Sequence, residues 1–337
     1  MNPFNRLYDA FAFGERKWLA PMIAALAVLF LVLIILSWYW SREPDVFWID
    51  ASIDEAPATI GFATTNTLIK VSETLLEKPG GFLYNDVAPP GVWLDNIPSW
   101  EIGVLTQIRD LSRIMRNDYS RSQSQSAEDA DLKSAEEGFF IGADKWLLPA
   151  AESQYANSID SLKRYQSRLL DASDSQAQFF ARADNLREWL SQVEKRLGSQ
   201  SQALTASVGQ SRVNTDLAGE SAAAAGGGTQ DADVIVKTSW LQLDNVLFEA
   251  RGTAWALVHF LRAAQFDFAD VLEDKNATVS LRQIIRELES SLAPLRSPIV
   301  LNGSGYGMFA NHSLVMASYL SRANAAVIDL RELLDQG

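Results

Sequence analysis

The longest uninterrupted apolar pattern lies near the start of the chain. Residues 18–41 are a run of 24 residues without a charged side chain, and its centre is apolar at every position. As a helix the run would be about 36 Å long at about 1.5 Å per residue, enough to cross a hydrocarbon core about 30 Å thick. Aromatic rings, which favour the headgroup region, stand at its ends: Trp18 at the start, and Trp38, Tyr39 and Trp40 at the finish. The pattern predicts a transmembrane helix.

The residues around this run predict an uncleaved anchor and its orientation. The run exceeds the apolar region of a cleaved signal peptide, about 7–15 residues, and bulky rings follow it where a small-residue cleavage site is expected. Arg6, Arg16 and Lys17 precede the run, whereas Arg42 alone follows it before a series of acidic residues. By the positive-inside rule we expect the N-terminus in the cytoplasm and the rest of the chain outside it, with the inverted orientation as the alternative.

The part of the chain after the anchor has a helical pattern. No proline lies between Pro149 and Pro294, and since proline breaks helices, this stretch favours long ones. Apolar residues at helical spacing predict helices over residues 59–78, 99–115, 234–272, 278–292 and 308–334. The predicted fold is mainly α, with one N-terminal transmembrane helix followed by an extracytoplasmic helical bundle of long antiparallel helices.

Composition along the chain predicts its division into regions. We expect a cytoplasmic tail at 1–17, a transmembrane helix at 18–41, a juxtamembrane region of helices and loops at 42–148, a helical hairpin at 149–197, a flexible linker at 198–231, and a C-terminal helical region packing with the preceding helices at 232–337. The tail is far shorter than the about 50 residues of a small domain, which excludes a cytoplasmic signalling output. The linker is rich in Ser, Gln, Ala and Gly and has no aromatic residue, so nothing in it is expected to anchor a core.

The hairpin carries the clearest packing pattern. In its second helix apolar residues alternate spacings of four and three, as in the seam of a coiled coil. The residues of this seam are Phe179, Ala183, Leu186, Leu190, Val193 and Leu197. Because two helices of similar length flank a short polar turn, we expect them to pair antiparallel. Either the seam closes within its own chain, which we favour, or it receives a partner protein.

Composition narrows the classes of function. The 337 residues carry a formal net charge of −13, which disfavours a nucleic-acid binder because such domains carry basic faces. The chain has no cysteine, which excludes disulfides, thiolate metal sites and cysteine nucleophiles. Two histidines leave little scope for imidazole chemistry.

Two carboxylates beside aromatic residues form the pattern that bears on catalysis. Asp95 and Glu101 lie between and beside two tryptophans, and paired carboxylates that bracket a glycosidic bond hydrolyse glycans. Glu101 also suits the first turn of a helix as a favourable charge. His259 has no carboxylate or second histidine three or four positions away, so we expect it to be packed and hydrogen-bonded rather than to bind a metal. We expect no catalytic activity, no cofactor and no metal site.

Three segments carry a resemblance to a known family: residues 57–65 (PATIGFATT), residues 79–101 (from PGGF to WE) and residues 240–274. Over essentially the whole chain the sequence resembles the bacterial domain-of-unknown-function family 2333 (DUF2333). The resemblance implies a single-pass inner-membrane protein of Gram-negative bacteria with a helical domain. It brings no activity and no catalytic residue to this chain.

These observations predict a membrane-anchored periplasmic helical protein of the bacterial inner membrane, acting as a non-catalytic envelope scaffold or assembly factor. We expect it to contact the lipid bilayer and envelope proteins and not nucleic acid, and homo-oligomerisation stays open. The alternatives are a peptidoglycan-acting envelope enzyme and a periplasmic small-molecule binder with a pocket between helices. An aromatic-lined cleft with paired carboxylates would favour the enzyme, a deep apolar pocket the binder, and an exposed apolar patch the scaffold.

Overall fold

The computed structural model describes residues 19–48, 59–123, 125–171, 173–174, 176–212, 234–295, 297, 299–304 and 308–336. The α-helices in these ranges are α1 (Leu19–Trp40), α2 (Phe62–Glu77), α3 (Asn96–Ile114), α4 (Ala130–Phe139), α5 (Ala151–Leu170), α6 (Ala183–Thr205), α7 (Leu243–Asp267), α8 (Ala269–Asp274), α9 (Thr278–Ser291) and α10 (His312–Asp335). A π-helical turn, Met115–Tyr119, follows α3, and strands β1 (Gln210–Arg212) and β2 (Val234–Val236) pair antiparallel. The predicted tail at 1–17, Trp18 and residues 213–231 of the predicted linker lie outside the described residues.

Helix α1 corresponds to the predicted membrane-spanning run. Most of its large apolar side chains between Met22 and Ile35 are 45–61% exposed. Pro21–Trp40 has a mean hydropathy of 2.7, and none of its most apolar part is buried inside the structure. Among the described residues this is the one helix long and apolar enough to cross a membrane. Helix α1 therefore projects from the rest of the structure with its apolar side chains uncovered.

Ion pairs and hydrogen bonds establish the directions of the other long helices. Helix α6 runs antiparallel to α10, because Arg187 pairs with Asp335 near one end and Ser201 with Ser321 near the other. Contacts of Asn66 with Gln166 and of Glu73 with Lys163 make α2 antiparallel to α5. Contacts of Arg262 with Glu289 and of Arg251 with Ser291 make α7 antiparallel to α9. As a result α3, α5, α7 and α10 begin at the end of the bundle to which α1 is attached, and α2, α4, α6 and α9 end there. We call this the α1 end. The predicted class, a mainly α helical bundle with long antiparallel helices, is confirmed.

Helices α3 and α7 meet in the centre of the core through glycine. A Cβ at Gly252 would lie 2.0 Å from the carbonyl oxygen of Trp100, and one at Gly103 would lie 2.1 Å from the carbonyl oxygen of Glu249. The two backbones therefore touch at a distance that a side chain would prevent. Beside this crossing the rings of Trp100 and Trp255 pack with their centroids 5.1 Å apart. Such close contact leaves the two helices little freedom to slide.

The predicted pairing of the hairpin is wrong. Helix α5 packs mainly against α4 and α2, whereas α6 packs mainly against α10. The connection between α5 and α6 is twelve residues long, 171–182, which is enough chain to carry α6 away from α5. Part of this connection is itself anchored, because the Phe180 amide donates to the Tyr119 carbonyl over 2.6 Å.

The residues of the predicted seam differ in burial. Leu186, Leu190, Val193 and Leu197 are buried within α6. Phe179 is buried ahead of the helix, and Ala183 is half-buried at its first position.

The prediction of a flexible linker is also wrong for residues 198–205. Helix α6 continues to Thr205, with Leu204 fully buried, so residues after Gly198 do anchor the core. Ser, Gln and Ala tolerate helical geometry. The buried Leu204 and the hydrogen bond between the hydroxyls of Ser201 and Ser321 hold the last turns in place. The helix predicted from Val234 begins instead at Leu243, and the β-branched residues before it pair as β2.

Candidate functional site

The residues that follow α1 attach it tightly to the bundle. We call residues 41–48 the strap; it lies along α7 and leads away from the α1 end. Immediately before the strap, the Trp40 ring at the end of α1 packs against Gly80, where a Cβ would lie 2.8 Å from that ring. Farther along, the Trp255 indole N–H donates to the Asp45 carbonyl over 3.3 Å. The apolar helix thus continues into the bundle without a free linker.

An ion pair holds the beginning of the strap. The Arg251 Nε and Nη2 atoms each donate to one oxygen of Glu43 over 2.7 Å, a bidentate geometry that is among the strongest for charged hydrogen bonds. The Arg251 side chain is almost fully buried. It also donates to the carbonyls of Ser291, Leu292 and Ala293 at 3.1–3.3 Å, where α9 ends. Arg251 therefore joins the strap, α7 and α9 at one point.

A buried histidine holds the middle of the strap. The His259 ring stacks on Phe47 with centroids 4.0 Å apart. Its Nε2 accepts from the Phe47 amide over 3.1 Å, and its Nδ1 lies 2.7 Å from the Trp255 carbonyl, an arrangement that requires a neutral ring protonated on Nδ1. Burial lowers the pKa of His259 to about 3, with a further lowering from the charge of Arg262 and an opposing effect of the bond to Trp255. This matches the sequence-based expectation of a packed, hydrogen-bonded histidine.

The strap ends at an exposed tryptophan. The Arg262 guanidinium lies 3.8 Å above the centre of the Trp48 ring, a cation–π contact. Arg262 also donates to Glu289 on α9 over 2.7 Å. The Trp48 ring is held in place by Arg262 and is nevertheless 69% exposed. A large aromatic ring fixed on the surface in this way is available for contact with another molecule.

Beside Trp48 lies a groove that we call the arginine groove. Its volume is about 390 Å³, and its lining is Trp48, Arg262, Gln265, Phe266, Arg282, Ile285, Arg286 and Glu289. Arg282 and Arg286 are exposed and lie one turn apart on α9. Within the part of the chain that the structure describes, neither guanidinium forms an ion pair. On a chain of net charge −13 this groove is a local concentration of positive charge, suited to bidentate binding of carboxylates.

A second and larger cleft lies at the α1 end. Its volume is about 860 Å³, and it lies between the first half of the strap, the start of α7 and the described residues that follow α9, 292–295, 297, 299 and 300. Glu43 and Arg251 form part of its wall together with Asp244, and the rings of Trp240 and Trp255 form another part. The lining is therefore both charged and aromatic, as an amphiphilic molecule would require.

The carboxylates proposed from sequence do not form a catalytic pair. Glu101 is completely buried, and its oxygens accept from the Leu83 amide at 2.9 and 3.0 Å, from the Tyr84 amide at 2.8 Å and from Lys78. Burial raises the pKa of Glu101, and Lys78 opposes that effect. Asp95 is exposed at the start of α3. A substrate cannot reach Glu101, so the glycosidase interpretation of these two residues is wrong.

The aromatic residues predicted to lie at the membrane interface at the end of α1 differ in how far they are exposed. Trp38 and Tyr39 are exposed, and the Arg42 guanidinium lies 4.0 Å above the Trp38 ring. Trp40 is half-buried against the bundle. Among the described residues no group of three or more His, Asp and Glu side chains is arranged to hold a metal ion.

Sequence reasoning missed the strap and the arginine groove. Arg251 and Arg262 interrupt a long apolar stretch of α7, where a charged side chain needs a partner, and this sequence signal pointed to a functional or structural contact. The partners were not foreseeable, because Glu43 and Trp48 precede these arginines by about two hundred residues and no pattern links the segments.

Comparison with known proteins shows to which family the chain belongs. No curated protein and no solved structure matches the chain. The sequence model of a bacterial family matches residues 13–337, nearly the whole length, and agrees with the resemblance noted from individual segments. The chain therefore belongs to DUF2333, a family of uncharacterized proteins conserved in bacteria.

Proposed function

We propose that this protein is a single-pass, non-catalytic scaffold of the bacterial inner membrane, with its N-terminus in the cytoplasm and its helical bundle in the periplasm. Helix α1 supports the anchor, because its 22 residues would span about 33 Å and its side chains are uncovered. The excess of basic residues before α1 supports the orientation. The scaffold binds another envelope protein and holds it at a set position relative to the bilayer.

The observation that carries this proposal is the continuous attachment of α1 to the bundle. Trp40 at the end of α1 contacts the bundle, and so do four of the eight strap residues, Glu43, Asp45, Phe47 and Trp48. An enzyme that must search for substrate benefits from a flexible tether, which lets its active site sample a volume. A rigid attachment instead gives the bundle one height and one orientation, which is what an assembly platform requires.

The arginine groove is the surface that we assign to the partner. Arg282 and Arg286, which form no ion pair with any described residue, and two aromatic rings together fit an acidic peptide segment that also carries an apolar side chain. Arginine and tryptophan are the residue types that contribute most to protein interfaces. The chain is acidic elsewhere, so an acidic partner segment would be repelled from other surfaces and directed here.

A photo-crosslinking experiment in cells tests this assignment. A photoreactive residue replaces Phe266 in the groove or, as a control, Val315 on α10; both side chains are about half exposed. We expect a discrete protein adduct from position 266 and none from position 315. The adduct should disappear when Arg282→Glu and Arg286→Glu are introduced, since both residues are exposed and the fold should tolerate the change. Equal adducts at both positions, or an adduct insensitive to these charges, would refute the assignment.

A second candidate function is the binding of an amphiphilic small molecule in the cleft at the α1 end. The volume of about 860 Å³ and the mixture of charged and aromatic lining favour it. Ser297 lies in the wall of this cleft, so Ser297→Trp would fill it. If the cleft is a binding site, mass spectrometry of the purified protein should detect a lipid-like molecule that the Ser297→Trp variant lacks. Identical small-molecule content in both proteins would exclude this function.

A further inference from the structure

Exposed apolar side chains collect in the loops at the α1 end. In the loop between α2 and α3 these include Val87 and Trp93. In the loop between α4 and α5 they include Trp146 and Leu148, the latter 89% exposed. Neither loop uses these side chains to pack against the described part of the core, so they point outward.

Two further connections place apolar side chains at the same end. Trp240 and Leu241, just before α7, are both exposed by more than two thirds. Met308 and Phe309, just before α10, are exposed by 99% and 73%. We call the described residues of the four connections, 78–95, 140–150, 237–242, 299–304 and 308–311, the α1-end loops.

Single exposed apolar residues are ordinary on a soluble protein, but a concentration of them at one end is not. The α1-end loops are separate in sequence, and the up-and-down order of the helices brings them together. Contacts place them near the chain that leaves α1: Gly80 packs against the Trp40 ring, and Trp240 and Ile299 line the same cleft as Ser41 and Arg42. The loop between α4 and α5 is joined to the loop between α2 and α3, because Asn85 donates to the Lys145 carbonyl over 2.9 Å. The exposed apolar side chains of the loops therefore lie at the end of the bundle to which α1, with its own uncovered apolar side chains, is attached.

We infer that the α1-end loops are immersed in the headgroup and upper acyl region of the bilayer that α1 crosses. This inference rests on the proposed function, because it takes α1 to span the membrane. Tryptophan, leucine and methionine at this level gain from transfer out of water, and indole rings favour the interfacial region. The same loops carry Asp86, Asp95 and Asp144 and also Lys78, Lys145 and Lys237, so their formal charges balance and attraction to anionic lipid does not drive the contact. The partner is the phospholipid surface itself, including a zwitterionic one.

Immersion of the loops gives the bundle a second attachment to the membrane. Because the long helices begin or end at these loops, the α1 end of the bundle faces the bilayer. The arginine groove lies at the far end of the strap, between α7 and α9, and stays in water.

Spin labelling of the full chain in zwitterionic nanodiscs tests the inference. Because the chain has no cysteine, each variant carries one label. The test sites are Leu148→Cys, Leu241→Cys and Met308→Cys. Leu29→Cys in α1 reports on the anchor, and the exposed Val279→Cys at the opposite end of the bundle is the aqueous control. Each label is measured for collision with oxygen, which concentrates in lipid, and with a water-soluble nickel chelate.

We expect oxygen collisions to exceed nickel collisions at the three test sites and at Leu29→Cys, and the ratio to reverse at Val279→Cys. Replacing zwitterionic by anionic lipid should leave the ratios unchanged. If Leu29→Cys is in lipid while the three test sites resemble Val279→Cys, the inference about the loops is wrong, and the proposal that α1 spans the membrane is unaffected. If Leu29→Cys is itself in water, the proposed function fails. Test sites shielded from both reagents would mean that a second copy covers them, which also overturns the inference.

Discussion

Arg251 connects three parts of the protein, so its removal measures how much the strap depends on one side chain. In Arg251→Ala the Glu43 carboxylate and three carbonyls at the end of α9 lose their donor. We expect the free energy of unfolding to fall by about 3–5 kcal/mol, as for one partner removed from a buried ion pair. The control is Arg322→Ala, whose half-exposed pair with Glu287 should be worth less than about 1 kcal/mol. Denaturant unfolding of both variants in detergent gives the comparison, and equal losses would contradict a special role of Arg251.

His259 should make the attachment of the strap sensitive to acid. Its folded-state pKa, about 3, lies below the ordinary value of 6.5, so the unfolded chain binds more protons between these values. Stability should therefore fall as the pH falls below 6.5, by at most about 1.4 kcal/mol per pH unit. His259→Gln can still accept from Phe47 and donate to Trp255 but does not titrate. The free energy of unfolding of the parent minus that of this variant should decrease on acidification, and a constant difference would show that the ring is not buried as described.

Among the elements, the α3–α7 contact depends on the absence of a side chain. Gly252→Ala places a methyl group 2.0 Å from the Trp100 carbonyl, so the two helices must separate. We expect a loss of about 1–3 kcal/mol, as for other overpacked cores. Gly198→Ala in α6 is the matched control, because its Cβ meets nothing closer than 3.7 Å. That change should stabilise the helix by about 0.5–1 kcal/mol. Thermal unfolding should show opposite shifts, and a stabilising Gly252→Ala would refute the close contact.

The α6–α10 contact depends on the buried seam. Leu190 is completely buried, so Leu190→Asp should cost more than the about 2–5 kcal/mol typical of Leu→Ala. Leu190→Met keeps the volume and should cost less than about 1.5 kcal/mol. We expect the aspartate variant to lose helicity by circular dichroism and to accumulate poorly. A variant that keeps its fold and melting temperature but loses a co-purifying protein would mean that the seam receives a partner instead.

Periodicity predicted which helix faces are buried and not which helices meet. The spacing of Leu186, Leu190 and Val193 places them on one face, and they are buried, but nothing in that spacing distinguishes α5 from α10 as the neighbour. Pairing depends on the length of the connection, which was underestimated because α6 begins only at Ala183. The candidate site was less predictable still, since the strap and α7 are far apart in sequence and the interactions of Glu43 with Arg251 leave no local pattern.

For the molecule as a whole, the orientation across the membrane is the prediction that most affects function. Alkaline phosphatase, which is active only outside the cytoplasm, should be active when inserted at Gly227 and inactive when fused before Trp18. The physical reason is the excess of basic residues before α1. Enzyme activity in cells, normalised to the amount of fusion protein, is the measurement. The reverse pattern would place the bundle in the cytoplasm and remove the case for a periplasmic partner.

The direction of the strap has a mechanical consequence. Its contacts with α7 extend from Arg251 to Arg262, about 16 Å along the helix, and lead away from α1. A force that pulls α1 out of the bundle therefore acts along the strap, loading its hydrogen bonds and ring contacts in parallel, so that they must rupture together. A force applied at Trp48 would instead break them one after another. The joint is strong against tension from the membrane and weak against peeling from its far end, and lateral drag on the anchor is transmitted directly to the bundle.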